Sequence, residues 1–592
     1  MLVLNQALSA MTSLKDTISS AVSRALLKAT NTELKEMGVN PSSRKEFGDY
    51  QVNSLMGLAK ELGQNPRELA LSVAKIMNSE ERTVITSAEV AGPGFLNLTV
   101  SNDLLINRAK EHINDPVTLI SPASPSLRVV VDYSSPNLAK EMHVGHLRGT
   151  IIGDSISRIL ERKNHEVIRQ NHVGDWGTQF GMLIAYLREI TNGDRADSIN
   201  DLSDLENFYR EAKHRFDQDK TFADESRRCV VKLQAEDPEY MALWARFIDK
   251  SLDHCHALYK RLGVALNRSH LKPESAYNNA LGKTIDDLET AKLLSLSNGA
   301  KCIFLPEFIG KNKEPLPVIV QKSDGGFLYA TTDLAAIDYR SNTLRADQVL
   351  YVVDARQTLH FQQVFAVAAT AKIKCERVSL IHVPYGTMMG SDGKPFKTRS
   401  GDLVKLTELI DEAESRALDL VTEKNPELDD TERGNIANVV GVAAVKYADL
   451  SKNRTSDYVF NWETMLSFDG NTAPYLLYAY ARIQSLILKY EKQFDCNDNE
   501  IISISLYEER SLLIKIQQLD EILDNVSREL APNILCNYLY ELAGIFMSFY
   551  EACPILNAEA DQRRTRLAIA MLTAETLKQG LEMLGIKPLN KM

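Results

Sequence analysis

The chain has 592 residues, 44% of them hydrophobic and 25% charged, which is too long for one core and ordinary for a globular protein of several domains. No apolar run approaches a membrane span, and the N-terminal stretch lacks a continuous apolar core, so we expect neither a membrane nor a secreted protein. Seven scattered cysteines without a CxxC pair exclude a disulfide framework or zinc ribbon and fit a reduced cytoplasm, while the net charge of −11 leaves nucleic-acid binding to local basic patches.

Residues 1–115 read as a small α/β module. Helical spacing (Leu14, Ile18, Val22, Leu26) precedes FGDYQVNSLMGLAKELG, read as a second helical stretch up to Pro66, and a third helix follows. A β-rich run, RTVITSAEV, then leads through a glycine-proline turn into the strand FLNLTV. Phe95 and Asn97 lie two apart on it and so share a side; an aromatic ring and an amide are what an unpaired base needs for stacking and edge recognition. The proline-rich stretch from Asn114 to Leu127 reads as a linker.

Residues 127–390 read as a Rossmann-type parallel-sheet domain with a helical insertion over about 185–300. RVVVDY is a short apolar run of the kind buried on both sheet faces, and Pro136 breaks the chain after it. Leu147, Ile151, Ile152, Ile156, Ile159 and Leu160 then recur at helical intervals, so HVGH sits where a core strand hands over to a helix. Such a helix start offers free N–H groups to a phosphate; His143 and His146 add donors, and Gly145 leaves room for a nucleotide. HEVIRQNHV completes a βαβ unit, GDWG marks a tight turn, and strands resume at CIFL, LPVIV and QVLYVVD. Asn137, Tyr329, Asp333 and Gln357 each follow a strand candidate, where an open parallel sheet binds its ligand. Residues 391–456 open on a Gly/Lys/Ser-rich loop followed by helices, and 457–592 show the apolar periodicity of a helical bundle.

HVGH in this setting resembles the HIGH motif of class I aminoacyl-tRNA synthetases, and SSPNLAKEMHVGHLRGTIIGD is similar to the corresponding string of the arginyl-tRNA synthetases. FGDYQ and GPGFLN also look like that family's strings, so the resemblance covers nearly the whole chain. It implies ATP-dependent activation of L-arginine to arginyl-adenylate and transfer to the 3′-terminal ribose of arginine tRNA. ATP would arrive with Mg²⁺, and no protein-held metal is implied. The N-terminal domain would contact tRNA (Phe95 and Asn97), the bundle would bind the anticodon, and the protein would be a cytoplasmic monomer. Phe396 to Ser400 stand where a KMSKS loop belongs, a degenerate match with Lys397 and Arg399 as its cations. In arginyl enzymes a lysine just before HIGH compensates, which here is Lys140. Lys140, His143, Gly145, His146 and Lys397 would then hold ATP, with Lys140, His143, His146, Lys397 and Arg399 as the catalytic set.

Asp132, Asn137, Tyr329, Asp333 and Gln357 match the family's arginine-contacting positions. By that resemblance Asp132 and Asp333 supply the anions for a guanidinium, Tyr329 covers its flat face, and Asn137 and Gln357 hold the α-amino and carboxylate ends. Asp132 stands where several relatives have glutamate, which shortens its reach and calls for a bridging water. Another class I synthetase, a nucleotidylyltransferase with HxGH, and an inactive relative are the competing readings. No Walker loop or GxGxxG after a strand favours a kinase or dehydrogenase.

Overall fold

The computed structural model describes residues 12–32, 37–42, 44–191, 205–310, 313–396, 404–494 and 500–592. These fall into two compact units. One comprises the chain up to Ser124 with Ser467–Met583 and Pro588–Met592; the other comprises Pro125–Leu466 with Leu584–Lys587.

In the first unit, β1 (Val39–Pro41), β2 (Tyr50–Val52), β3 (Ile85–Ala91) and β4 (Phe95–Val100) form an antiparallel sheet in the order β1-β2-β4-β3. The helices Leu14–Thr30 and Pro66–Glu80 are capped by Ser13 and Asn65, whose side chains accept N–H groups of the first turn. Their apolar stripes pack on the sheet, with Leu14, Ile18 and Val22 fully buried. The helical reading of FGDYQV is corrected here: Tyr50–Val52 is strand and the helix spans Leu55–Glu61. Gly48, at φ +72°, turns the chain so close to the Leu98 carbonyl that a Cβ would lie 2.6 Å from its oxygen. The helices Ala473–Glu491, Tyr507–Gln517, Leu519–Glu529, Asn533–Ala552 and Ala560–Met583 form the bundle of this same unit. Arg510 joins it to the N-terminal sheet, forking onto both oxygens of Asp49 at 2.7 Å and donating to the Val100 carbonyl. Tyr50 donates to Glu521 at 3.0 Å, and Asp520 accepts from the N–H and hydroxyl of Ser121. The expected linker therefore begins as docked chain: Pro116–Leu119 is a 3₁₀ turn, and Leu119 and Ile120 are buried.

The second unit is built on β5 (Arg128–Asp132), β6 (Glu166–Gln170), β10 (Gln348–Tyr351) and β11 (Ser379–His382), all parallel, in the order β11-β10-β5-β6. Val129, Val130 and Val131 are fully buried, as a sheet covered on both faces requires. The register brings Gln170, Asp132, Tyr351 and His382 into one row at the carboxyl ends, with the strand order reversing between β5 and β10. CIFL and LPVIV do not join this sheet. They form β8 (Ala300–Ile303) and β9 (Val318–Gln321) of a separate antiparallel sheet with β7 (Leu294–Ser297), in the order β7-β8-β9. The insertion is helical, with Leu205–Gln218, Lys220–Gln234, Pro238–Leu262 and Asn278–Thr290. After the sheet, β12 (Met388–Met389) pairs in parallel with β13 (Tyr458–Val459), bracketing the helices Leu406–Lys424 and Asp430–Leu450. Lys446, on the second of these, is buried and donates to the carbonyls of Leu262 and Gly585 at 2.7 and 2.6 Å. Burial pushes its ammonium down to about 8, against the attraction of Asp154.

Candidate active site

β5 ends in a turn held against its backbone preference. Ser134 and Ser135 both have positive φ, 70° and 45°, a conformation costing each residue about 1–3 kcal/mol unless its surroundings impose it. They do so here. Ser134 Oγ lies 2.8 Å from both the Thr150 and the Tyr259 hydroxyl, and Ser135 N–H donates to Asn171 at 3.0 Å. Ser135 Oγ donates to Asp132 at 2.9 Å and accepts the His172 N–H at 3.1 Å. The turn delivers Asn137 beside Gly174, with Leu138 N–H donating to the Gly174 carbonyl, and it aims the chain at the motif.

HVGH forms a 3₁₀ turn, Val144–His146, feeding the helix Leu147–Arg162. The helix lies against the end of β5: a Cβ on Gly153 would sit 2.3 Å from that of Tyr133, and one on Gly149 2.7 Å from the Tyr385 hydroxyl. The first-turn amides, expected to be free for a phosphate, are spent. His143 N–H donates to His146 Nδ1, Gly145 N–H donates to His143 Nδ1, Val144 N–H reaches the Val404 carbonyl, and His146 N–H the His143 carbonyl. The same bonds fix the imidazole tautomers. With each Nδ1 accepting, the proton of each neutral ring sits on Nε2, a donor pointing away from the turn. Burial pushes His146 down to about 3, helped by the His143 ring and the Lys140 ammonium, so it is neutral at physiological pH. His143 is lowered too, by burial, then Lys140 and Arg356, and the two rings stand 4.0 Å apart. Gly145 is required by this arrangement, since a Cβ there would lie 2.7 Å from His143 Cε1.

Near the carboxyl ends of β5 and β10 several acidic side chains gather, close enough for their charges to shift one another's pKa. Asp333, on the helix Tyr329–Asp338, holds His360 Nε2 at 2.6 Å; Tyr329, at the same helix start, is 69% exposed. Glu274, which sequence spacing does not single out, joins them. Burial, then Asp175 and Asp333, pushes its carboxyl up to about 7, and its charge in turn raises Tyr329 after burial. Asp132 departs from the expectation of an anion open to substrate. Its Oδ2 takes Arg340 at 2.8 Å in a buried pair, Oδ1 takes Ser135, and Arg340 is further held by Gln170 at 2.7 Å. A carboxylate with its own guanidinium has little charge left to offer a second. The Tyr351 phenol is pushed up to about 12 by burial, with Arg340 lowering it and the charges of Asp132 and Asp333 raising it further. Gln357 is the exposed N-cap of the helix Thr358–Thr370, one turn before His360.

The loop's exit is stitched to the motif: Val144 N–H donates to the Val404 carbonyl and Leu406 N–H to the Met142 carbonyl, both at 3.0 Å. Lys405 Nζ reaches Glu141 at 3.1 Å. Lys397 and Arg399 lie outside the described residues. In the other unit, Phe95 is half-buried at the start of β4, and Asn97, only 9% exposed on this inner strand between β2 and β3, accepts from Gln51 at 2.7 Å on its side-chain carbonyl oxygen.

Residues 117–462 match the model of the class I tRNA synthetase (R) catalytic domain, 476–592 the DALR anticodon binding domain and 12–100 the arginyl tRNA synthetase N terminal domain. The chain is 51% identical to an arginine–tRNA ligase from Marinomonas sp., over 97% of this chain and 99% of that one. It is 52% identical to one from Pseudomonas putida, over 98% of this chain and all of the relative. Among solved structures, an arginyl-tRNA synthetase from Plasmodium falciparum superposes over 98% of this chain and all of its own, with a TM-score of 0.83 and 30% identity.

Proposed function

The chain belongs to the class I arginyl-tRNA synthetases, and from that membership we propose how its residues divide the work of joining L-arginine to arginine tRNA at the expense of ATP. The arginine carboxylate attacks the α-phosphate of ATP, delivered as its Mg²⁺ complex, and pyrophosphate leaves. A hydroxyl of the tRNA 3′-terminal ribose then attacks the adenylate carbonyl, the acyl–phosphate bond breaks and AMP leaves. Neither step needs a protein nucleophile, so catalysis is positioning and charge stabilisation. The observation that carries this reading is the pair of Nε2–H donors fixed on His143 and His146 beside Lys140, above a turn whose own amides are already bonded. These side chains, with Lys397 and Arg399 of the loop, meet the phosphates, and Gly145 keeps the His143 ring in place.

Asp333 and Glu274 receive the guanidinium of arginine, Tyr329 covers its face at the rim, and Asn137 and Gln357 hold the α-amino and carboxylate groups. Asp132 acts through the wall it builds with Arg340. In the first unit Phe95 and Asn97 present a ring and an amide edge to an unpaired base of the tRNA. The enzyme works as a cytoplasmic monomer; among the described residues no helix is long and apolar enough to cross a membrane.

The test is amino-acid-dependent exchange of pyrophosphate into ATP, with and without arginine tRNA, using lysine and glutamine as controls. Exchange with arginine only is expected, and only with tRNA present. Exchange with arginine alone removes the tRNA requirement, and none with any amino acid refutes the activity.

A further inference from the structure

Lys140 stands on the exposed approach to HVGH, on a segment gripped from two sides. On one side lies the exit of the loop, bonded to Met142 and Val144. On the other lies the insertion helix Leu205–Gln218. Two residues on one face of that helix, three positions apart, reach the segment: Glu206 accepts the Glu141 N–H at 3.3 Å, and the Tyr209 ring lies beneath the Lys140 ammonium, Nζ to centroid 4.5 Å. Tyr209 is 7% exposed, and the helix is anchored by edge-on contact of Phe208 with Tyr186 at 5.0 Å and by Phe208 against Phe247 at 5.7 Å. The ring is thus a fixed surface, while a lysine side chain is a flexible stem with several rotatable bonds.

We propose that Tyr209 is a positioning residue for the reaction: its ring face holds the Lys140 ammonium beside the two imidazoles, where the phosphates of ATP arrive. An aromatic rest suits this duty better than a carboxylate. A carboxylate would neutralise the charge that phosphate oxygens need, whereas the ring quadrupole orients the cation and leaves its charge and its N–H donors available. The insertion thereby contributes to the phosphate end of the site. This inference rests on the proposed role of Lys140, and its test separates the two.

The full-length chain is assayed for aminoacylation with ATP, arginine and arginine tRNA, as wild type, Tyr209→Leu, Tyr209→Phe, Lys140→Met and the Tyr209→Leu/Lys140→Met double variant. A cation–π contact of ordinary strength predicts that Tyr209→Leu lowers kcat/KM for ATP about 3- to 30-fold. KM for arginine should stay unchanged, Tyr209→Phe should sit near wild type because the ring face remains, and the double variant should match Lys140→Met alone. Wild-type rates in Tyr209→Leu beside a slow Lys140→Met overturn the positioning role and leave Lys140 standing. A wild-type Lys140→Met overturns both. Additive losses in the double variant, or a parallel rise in KM for arginine, mean that Tyr209 acts through the fold, which also overturns it. If thermal melting shows Tyr209→Leu unfolded, Tyr209→Met, closer in length and still without a ring, carries the same expectations.

Discussion

The two imidazoles of HVGH each give their Nδ1 to a backbone N–H, so what faces outward is a pair of neutral N–H donors held by the turn itself. Such donors need no reorganisation as charge moves onto a phosphate, and loss of one typically slows the step by about 10²–10³. His146→Ala is therefore expected to cut single-turnover adenylate formation by about that factor; an unchanged rate removes His146 from the catalytic set. Asp333→Asn should raise KM for arginine far more than KM for ATP, and equal changes count against its place in the guanidinium pocket. Glu274 adds a pH signature. Its carboxyl, at about 7, is protonated in much of the free protein below neutrality, and a guanidinium favours the carboxylate. Arginine affinity should rise with pH up to about 7 and level off above, with proton release on binding near pH 6.5. Calorimetry in two buffers of unlike ionisation enthalpy reads that release, and Glu274→Gln should abolish it. For stability the sign is opposite: the raised value favours the fold fully below the ordinary 4.5, and this contribution is lost as pH rises through about 7. The histidines and Lys140 are legible in the sequence because they cluster in one motif. Glu274, His360 and Arg340 are not, since each reaches the site from a distant element and carries no spacing signal.

At the scale of elements, close packing of the motif helix on β5 decides where the histidines stand. Gly153 meets the Tyr133 Cβ at a distance no side chain tolerates. Gly153→Ala should cost about 1–3 kcal/mol, read as earlier urea unfolding with slower adenylate formation, because the helix must shift to admit the methyl. An unaltered urea midpoint would show that the contact relaxes freely. β5 and β10 announce themselves by apolar runs bounded by turns, β6 by its place after the motif helix in a βαβ unit, and that helix by its period. β8 and β9 read the same way and yet pair in another sheet, since an apolar run of four residues says nothing about its partner or direction. Tyr50–Val52 is too short for any period to show, and the helical residues beside it drown its signal.

For the molecule as a whole, the union of the first and last parts of the chain in one compact unit escapes sequence reading. It depends on pairs such as Asp49 and Arg510, 461 positions apart, and a single ion pair has no periodicity. Both side chains are largely buried, Asp49 at 11% and Arg510 at 18% exposure, and stranding the carboxylate should cost about 3–5 kcal/mol. Arg510→Met is expected to speed hydrogen exchange in β2 and β4; unchanged protection there would assign the docking to apolar contact alone. Lys446 sets a different constraint, one of order in time. It lies in the catalytic unit, yet one of its two carbonyl acceptors, Gly585, is 139 positions further along the chain. During synthesis the Leu262 carbonyl is available to this ammonium from the start, whereas the Gly585 carbonyl arrives only after the whole bundle has been made. A polypeptide cut short just before Gly585 holds the whole parallel sheet and both histidines and still lacks the bond that closes its catalytic unit, so the last turn of the chain acts as a clasp on a domain finished long before it.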